Sequence, residues 1–170
     1  HAPLLAAWID TPLRPMMAIA DDNSLYLLEF TDRKNLERQV RRVSEKNKRQ
    51  ILPGRTAVHD QIETELKEYF SGKLTRFKTP LILTGTDFQK KIWAGLCDIP
   101  FGKTCSYLEL AGATGNVKAV RAAASSNANN GLAIIVPCHR VISTGGGLGG
   151  YAGGLDRKKW LLDFEAGVRG

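Results

Sequence analysis

The sequence predicts an α/β (α+β) chain in two parts: a small antiparallel sheet with helices, then a mostly helical region holding a helix-turn-helix. Three observations carry this. Residues 8–30 break into short apolar runs separated by turn residues, among them Pro12, Pro15 and Asp21-Asp22-Asn23. Later stretches repeat apolar side chains at helical spacing. A break over residues 72–86, with Ser71-Gly72 before it and Lys78-Thr79-Pro80 inside it, separates the two regions. The boundary is set at residues 1–80 and 81–170.

In chain order, short antiparallel strands are expected over 8–30. Asp32 to Lys48 reads as a strongly charged helix with Leu36, Val40 and Val43 on one face. Its basic side reads as a solvated face. Pro53-Gly54 interrupts the chain. Residues 57–70 form a second helix, with Ile62, Leu66, Tyr69 and Phe70 apolar. Leu81-Ile82-Leu83 is a short strand, and Thr86 or Asp87 caps a helix carrying Phe88, Ile92, Trp93 and Leu96. Ser106 to Ala113, the turn Thr114-Gly115-Asn116 and Val117 to Ala128 make a helix-turn-helix pattern, which also describes many plain helical hairpins. The apolar run Leu132 to Val136 reads as a buried strand, and Leu155 to Glu165 as a final helix.

Composition narrows the function. At 170 residues and 43% hydrophobic, the chain is long and apolar enough to fold. No apolar run approaches the ~18 residues of a membrane span, and no signal peptide is read at the start. The first residue is His1 rather than Met, which suits a chain cut from a longer protein. Lys and Arg number 24 against 17 Asp and Glu, a net charge of +7. That balance suits a polyanionic partner and suits plain solubility equally well. Three cysteines, Cys97, Cys105 and Cys138, are too few and too odd for a disulfide scaffold and point to a reducing compartment, cytoplasmic or nuclear. The three histidines show no metal-ligand spacing, so no metal is expected.

The chemistry concentrates after residue 105. The second helix of the hairpin, Val117 to Ala128, is rich in small residues around one long cation, Arg121. It reads either as an alanine-rich core helix or as a helix lying flat against a surface with Arg121 reaching in. Pro137-Cys138-His139-Arg140-Val141 ends an apolar run. Cys138 is there either a nucleophile or a buried structural cysteine. A thiol of pKa ~8.5 needs a base, and His139 serves only if the chain turns at Pro137 or a water bridges the two. Seven of the 17 glycines fall in residues 143–154, without the Lys-Ser/Thr ending of a phosphate loop. Their backbone amides suit a pocket wall around Tyr151. Glu165 is placed to orient His139 in a Cys–His–Glu relay, although a terminal-helix glutamate is more often solvated. A thiol hydrolase built on Cys138-His139 is one reading of these residues.

Taken together, Phe88-Gln89-Lys90-Lys91-Ile92-Trp93, Ile99-Pro100-Phe101-Gly102, Ser106-Tyr107, Ala119-Val120-Arg121-Ala122, the Pro137–Val141 run, Gly150-Tyr151-Ala152-Gly153-Gly154-Leu155 and Lys158-Lys159-Trp160-Leu161-Leu162 resemble the O6-alkylguanine-DNA alkyltransferase family. The resemblance is strong over 84–166 and loose before it. It implies an N-terminal ribonuclease-H-like lobe and a helical catalytic lobe. It implies a single-turnover transfer of the alkyl group from O6 of guanine to the protein's own cysteine, with the base flipped out of duplex DNA and no cofactor. It makes Cys138 the acceptor, His139 the base acting through water, Glu165 its orienter, Asn130 the hinge asparagine and Tyr107 the residue crowding the target phosphate. It places Arg121, Ala119, Val120, Ala122, Ala124, Ser125 and Ser106 against the minor groove. It places Pro137, Val141, Tyr151, Ala152, Gly153 and Lys158 around the base. Ala152 stands where many relatives have serine. The partner implied is double-stranded DNA read with weak sequence preference, bound by a monomer, with no membrane. The alternative is the repair or sensor domain of a larger adaptive-response regulator.

Overall fold

The computed structural model describes residues 2–169, with side chains described through Gly167. The chain divides into two compact units, residues 1–84 and 85–170.

The first unit is built on a four-stranded sheet in the order β3-β2-β1-β4. β1 (Leu4–Ile9) and β2 (Met16–Ala20) pair antiparallel, as do β2 and β3 (Leu25–Phe30), with a register irregularity at Ile19/Ala20. The strand β4 (Ile51–Pro53), where only a break was expected, joins parallel to β1, so the sheet is mixed rather than wholly antiparallel. Helix α1 (Leu36–Asn47) supplies the crossover that a parallel neighbour requires. Pro53 has no N–H to donate, so β4 is confined to the sheet edge. Val40 and Val43 of α1 pack on Leu4, Ile19 and Leu27, forming one core cluster.

Helix α2 (Ala57–Phe70) starts at a capping box in which Thr56 Oγ1 accepts from a first-turn N–H and His59 Nδ1 accepts from Thr56 N–H. The stretch Leu81–Leu83 is not a strand. It meets β3 in one bridge, Leu25 N–H donating to Pro80 and Ile82 N–H to Leu25. Pro80 cannot donate, which stops the ladder there.

In the second unit, α3 (Asp87–Leu96) begins at a Thr86–Gln89 capping box and α4 (Tyr107–Ala113) at a Ser106–Glu109 one. Gly115 takes φ +88° in the turn after α4. Asn116 then caps a 3-10 turn over Val117–Ala119, and α5 (Val120–Ala128) follows. Trp93 Nε1 donates to Ser126 O at 2.7 Å and ties α3 to α5. A short parallel pair, β5 (Cys105–Ser106) with β6 (Val141–Ile142), was not legible in the sequence. Helix α6 (Leu155–Arg169) closes the unit.

Candidate active site

The expected strand Leu132–Val136 is instead a coiled, buried turn. Asn130 is the reason. Its Oδ1 accepts from Leu132 N–H at 2.9 Å, and its Nδ2 donates to Val136 O at 2.8 Å. Val136 N–H also reaches back to Leu132 O, and Ile134 is held at φ +73°, rare for a β-branched residue. The run is apolar because it is buried, not because it is extended. A single-turn 3-10 helix, Cys138–Arg140, follows directly. It supplies the bend that adjacency of Cys138 and His139 required.

Cys138 is 7% exposed. Its Sγ receives a hydrogen bond from Asn130 Nδ2 at 3.2 Å, and its carbonyl receives one from Asn127 Nδ2 at 3.4 Å. Asn127 lies in α5 and Asn130 just beyond it, so the cysteine turn is fastened to the end of α5. Cys138 lines a cavity of about 400 Å³ shared with Tyr107, Ala124, Asn127, Gly150, Tyr151 and Ala152.

Behind the cysteine, the His139 ring is completely buried. Its Nε2 lies 2.8 Å from Glu165 Oε2, while its Nδ1 has no hydrogen-bond partner among the described residues. Arg140 clamps the same carboxylate through Nε at 2.8 Å and a second nitrogen at 3.0 Å, and anchors on Ile99 O. Burial alone would raise the Glu165 carboxyl. The hydrogen bonds from His139 and Arg140 outweigh it and hold the group well below the usual carboxylate range. Burial pushes His139 below its ordinary value against the pull of Glu165, which keeps the imidazole neutral near pH 7. A neutral ring beside a carboxylate carries its proton on Nε2 and its lone pair on Nδ1.

Lys158 is fully buried and donates to Val141 O at 2.5 Å and Gly150 O at 3.0 Å. Burial draws it down to about 8, with Cys138 acting in the opposite direction. Gly150 N–H donates to Tyr107 Oη at 3.3 Å. Gly149, at φ +71°, packs so closely that an added Cβ would lie 2.8 Å from the Tyr107 ring and hydroxyl. The glycine loop is thus fitted against Tyr107 and pinned by Lys158.

Of the residues expected here, Cys138, Asn130, His139, Glu165, Lys158, Val141, Tyr107, Tyr151 and Ala152 fall in this one neighbourhood. Pro137 and Gly153 are buried, and Ala152 is exposed at the cavity rim. On the helix-turn-helix, Arg121, Ala122 and Ser125 are exposed, whereas Ala119, Val120 and Ala124 are partly covered. The Ser106 hydroxyl is occupied as the α4 cap, accepting from Glu109 N–H. Arg140 and Asn127 were missed as site residues. Arg140 stood inside the Pro137–Val141 motif, and only a buried carboxylate reveals its task. Asn127 lies in the last turn of α5, and nothing in its local sequence marks it as a partner of the cysteine turn.

A mixed α/β chain with a helix-turn-helix, a partly covered cavity and a cysteine fastened in its wall defines a cysteine-centred class of protein. Residues 87–167 match the family model described as 6-O-methylguanine DNA methyltransferase, DNA binding domain. A methylated-DNA–protein-cysteine methyltransferase from Methanosarcina barkeri is 39% identical over 158 residues, covering 92% of this chain and 94% of that one. The structure of a Mycobacterium tuberculosis O6-methylguanine methyltransferase superposes with a TM-score of 0.82 at 36% identity, covering 97% and 94% of the two chains. A Mycobacterium tuberculosis OGT solved in complex with DNA gives 0.81 at 37% identity over 95% and 92%. The chain belongs to the methylated-DNA–protein-cysteine methyltransferase family. Among the described residues no helix is long and apolar enough to cross a membrane.

Proposed function

We propose that this chain is a methylated-DNA–protein-cysteine methyltransferase that repairs alkylated DNA by direct reversal, with Cys138 as the acceptor. The observation that carries the assignment is the Cys138 thiol, held at 3.2 Å by Asn130 in the wall of the cavity, with His139, paired to Glu165, next to it in the same 3-10 turn. One bond forms, between Sγ and the alkyl carbon, and one breaks, between that carbon and guanine O6. The thiol proton passes through a water to His139 Nδ1, the one ring nitrogen that Glu165 leaves unused. Glu165 fixes the tautomer and balances the imidazolium as it forms, and Arg140 keeps Glu165 ionised. The Lys158 ammonium favours the thiolate. Tyr107 accepts from Gly150, so its own O–H remains able to donate to the departing guanine. The protein has no step that removes the alkyl group from sulfur, and each chain acts once.

The target atom is buried in a duplex, so the nucleotide is flipped into the cavity. Helices α4 and α5 serve the minor groove. Exposed Ala122 and Ser125 allow close approach, and Arg121 fills the space the base leaves. Phosphate contacts dominate, which gives weak sequence preference and strong salt dependence. The chain acts as a monomer in a reducing compartment, where the acceptor thiol survives.

Incubation with a duplex carrying one O6-methylguanine, followed by intact-mass measurement and peptide mapping, tests the assignment. One methyl per chain, located on Cys138 and absent in Cys138→Ser, is expected. A methyl on another residue, or gain beyond one per chain, overturns it.

A further inference from the structure

The chain's charge is unevenly placed. Residues 33–49 hold eight Lys or Arg against two Glu, a net +6. The rest of residues 1–84 holds six Lys or Arg against nine Asp or Glu, a net −3. Residues 85–170 carry a net +4 over a stretch five times as long, so α1 and its two ends are the most concentrated positive segment of the chain. Val40 and Val43 turn one side of α1 to the sheet. Arg38 and Arg41, three residues apart, are exposed, and their side chains make no hydrogen bond or ion pair among the described residues. Lys34 before the helix, and Lys46 and Lys48 near its end, are exposed as well.

Helix stability does not account for this pattern. Lys46 and Lys48 suit the negative C-terminal end, but Arg38 stands in the first turn, where the helix dipole opposes a cation. Arg42 is pushed below its ordinary value by burial and then by the charges of Arg33 and Arg38. The cations are close enough to repel one another, a cost that a polyanion would relieve.

We propose that the exposed cationic face of α1, centred on Arg38 and Arg41, is a second contact surface for DNA phosphates, made of residues distinct from those of α4 and α5. This rests on the reading that the protein acts on duplex DNA. Two arginines one helical turn apart fit two backbone phosphates, and each released counterion steepens the salt dependence by about 0.9. The surface reads no bases, so it adds affinity without sequence preference.

The test compares three full-length proteins: the parent, Arg38→Gln/Arg41→Gln, and Lys73→Gln/Arg76→Gln. The last loses the same net charge from exposed positions outside α1. Affinity for an undamaged 30-base-pair duplex is measured by fluorescence anisotropy across a salt series. Methyl transfer from free O6-methylguanine to Cys138 is measured alongside. The α1 pair is expected to lower the log–log salt slope by about 2 and low-salt affinity by about tenfold or more. The control pair should shift the slope by less than half a unit, and transfer from the free base should be equal in all three. Equal slopes in the α1 and control pairs overturn the second surface while leaving the repair function standing. A parent protein that neither accepts the methyl group nor binds the duplex overturns the repair reading itself, and the proposal with it.

Discussion

His59 in the first unit and His139 in the second are both completely buried, and their surroundings differ in one respect. His59 has both nitrogens engaged: Nδ1 accepts from Thr56 N–H at 3.0 Å, and Nε2 lies 3.0 Å from Ala18 O. His139 has Nε2 on Glu165 and Nδ1 without a hydrogen-bond partner among the described residues. The buried carboxylates divide the same way. Glu65 takes Lys78 N–H, Thr79 N–H and the Thr79 hydroxyl, which pins the loop after α2. Glu165 instead takes two side chains that flank a thiol. In the first unit, His59 and Glu65 are satisfied mainly by backbone groups and hold the fold. In the second, His139 and Arg140 meet on Glu165, and His139 Nδ1, without a hydrogen-bond partner among the described residues, is left over for chemistry.

Breaking the second arrangement should have the largest effect. Glu165→Gln removes the charge that Arg140 and His139 share, leaving the Arg140 guanidinium buried without a counter-ion. A stability loss of about 3–5 kcal/mol is expected. Methyl transfer should fall by ~10²-fold or more even at a temperature where the variant is folded, since the imidazole tautomer is no longer fixed. Chemical denaturation paired with single-turnover transfer separates the two effects. Full stability with full activity would mean that Glu165 is a bystander.

A smaller effect concerns the product. Cys138 sits in a closely packed turn between Asn127, Asn130 and the cavity wall. Methylation enlarges it, replaces the thiol with an apolar thioether and leaves His139 facing a group that holds no proton. The methylated protein should be about 1–3 kcal/mol less stable than the unreacted one. The check is melting of the protein before and after one equivalent of methylated duplex, with the DNA removed. An unchanged or raised melting temperature would show that the cavity accommodates the methyl group without strain.

How much of this was legible in the sequence depended on whether local or long-range contacts decide the element. The helix over 57–70 and the start of α3, which the sequence places at Thr86 or Asp87 and the structure caps with Thr86, are set by neighbours within four residues. The strand β4 has only three residues and exists because β1 offers an edge. The pair β5 and β6 joins segments more than thirty residues apart, and nothing local in Cys105-Ser106 announces it. The run Leu132–Val136 failed for a different reason. Five apolar residues look alike whether extended or coiled, and the amide of Asn130 that coils them lies outside the run. Glu165 was undervalued because exposure is the ordinary fate of a glutamate near the end of a helix. Its burial depends on Arg140 and His139 arriving from 25 and 26 residues away.

The gentlest test concerns the satisfied histidine. His59 and His139 are both held below the ordinary value, in each case first by burial. For such a group the unfolded chain binds protons before the folded one does. Stability is therefore flat above the unfolded value of ~6.5 and falls as pH drops below it. His59→Gln deletes the titrating group in the first unit while keeping a donor for Ala18 O. It should cost about 1–2 kcal/mol, or ~2–8 °C in melting temperature, through the weakened capping box. The variant should also lose part of the decline in melting temperature between pH 7 and 5.5. Transfer from free O6-methylguanine should be unchanged at pH 7.5, because neither His59 nor Thr56 is among the residues that line the cavity. If His59→Gln slows transfer while the fold is intact, the division between a unit that holds and a unit that reacts is wrong. If it leaves the acid decline untouched, His139 alone carries the pH dependence, and the contrast between the two rings is sharper than burial by itself predicts.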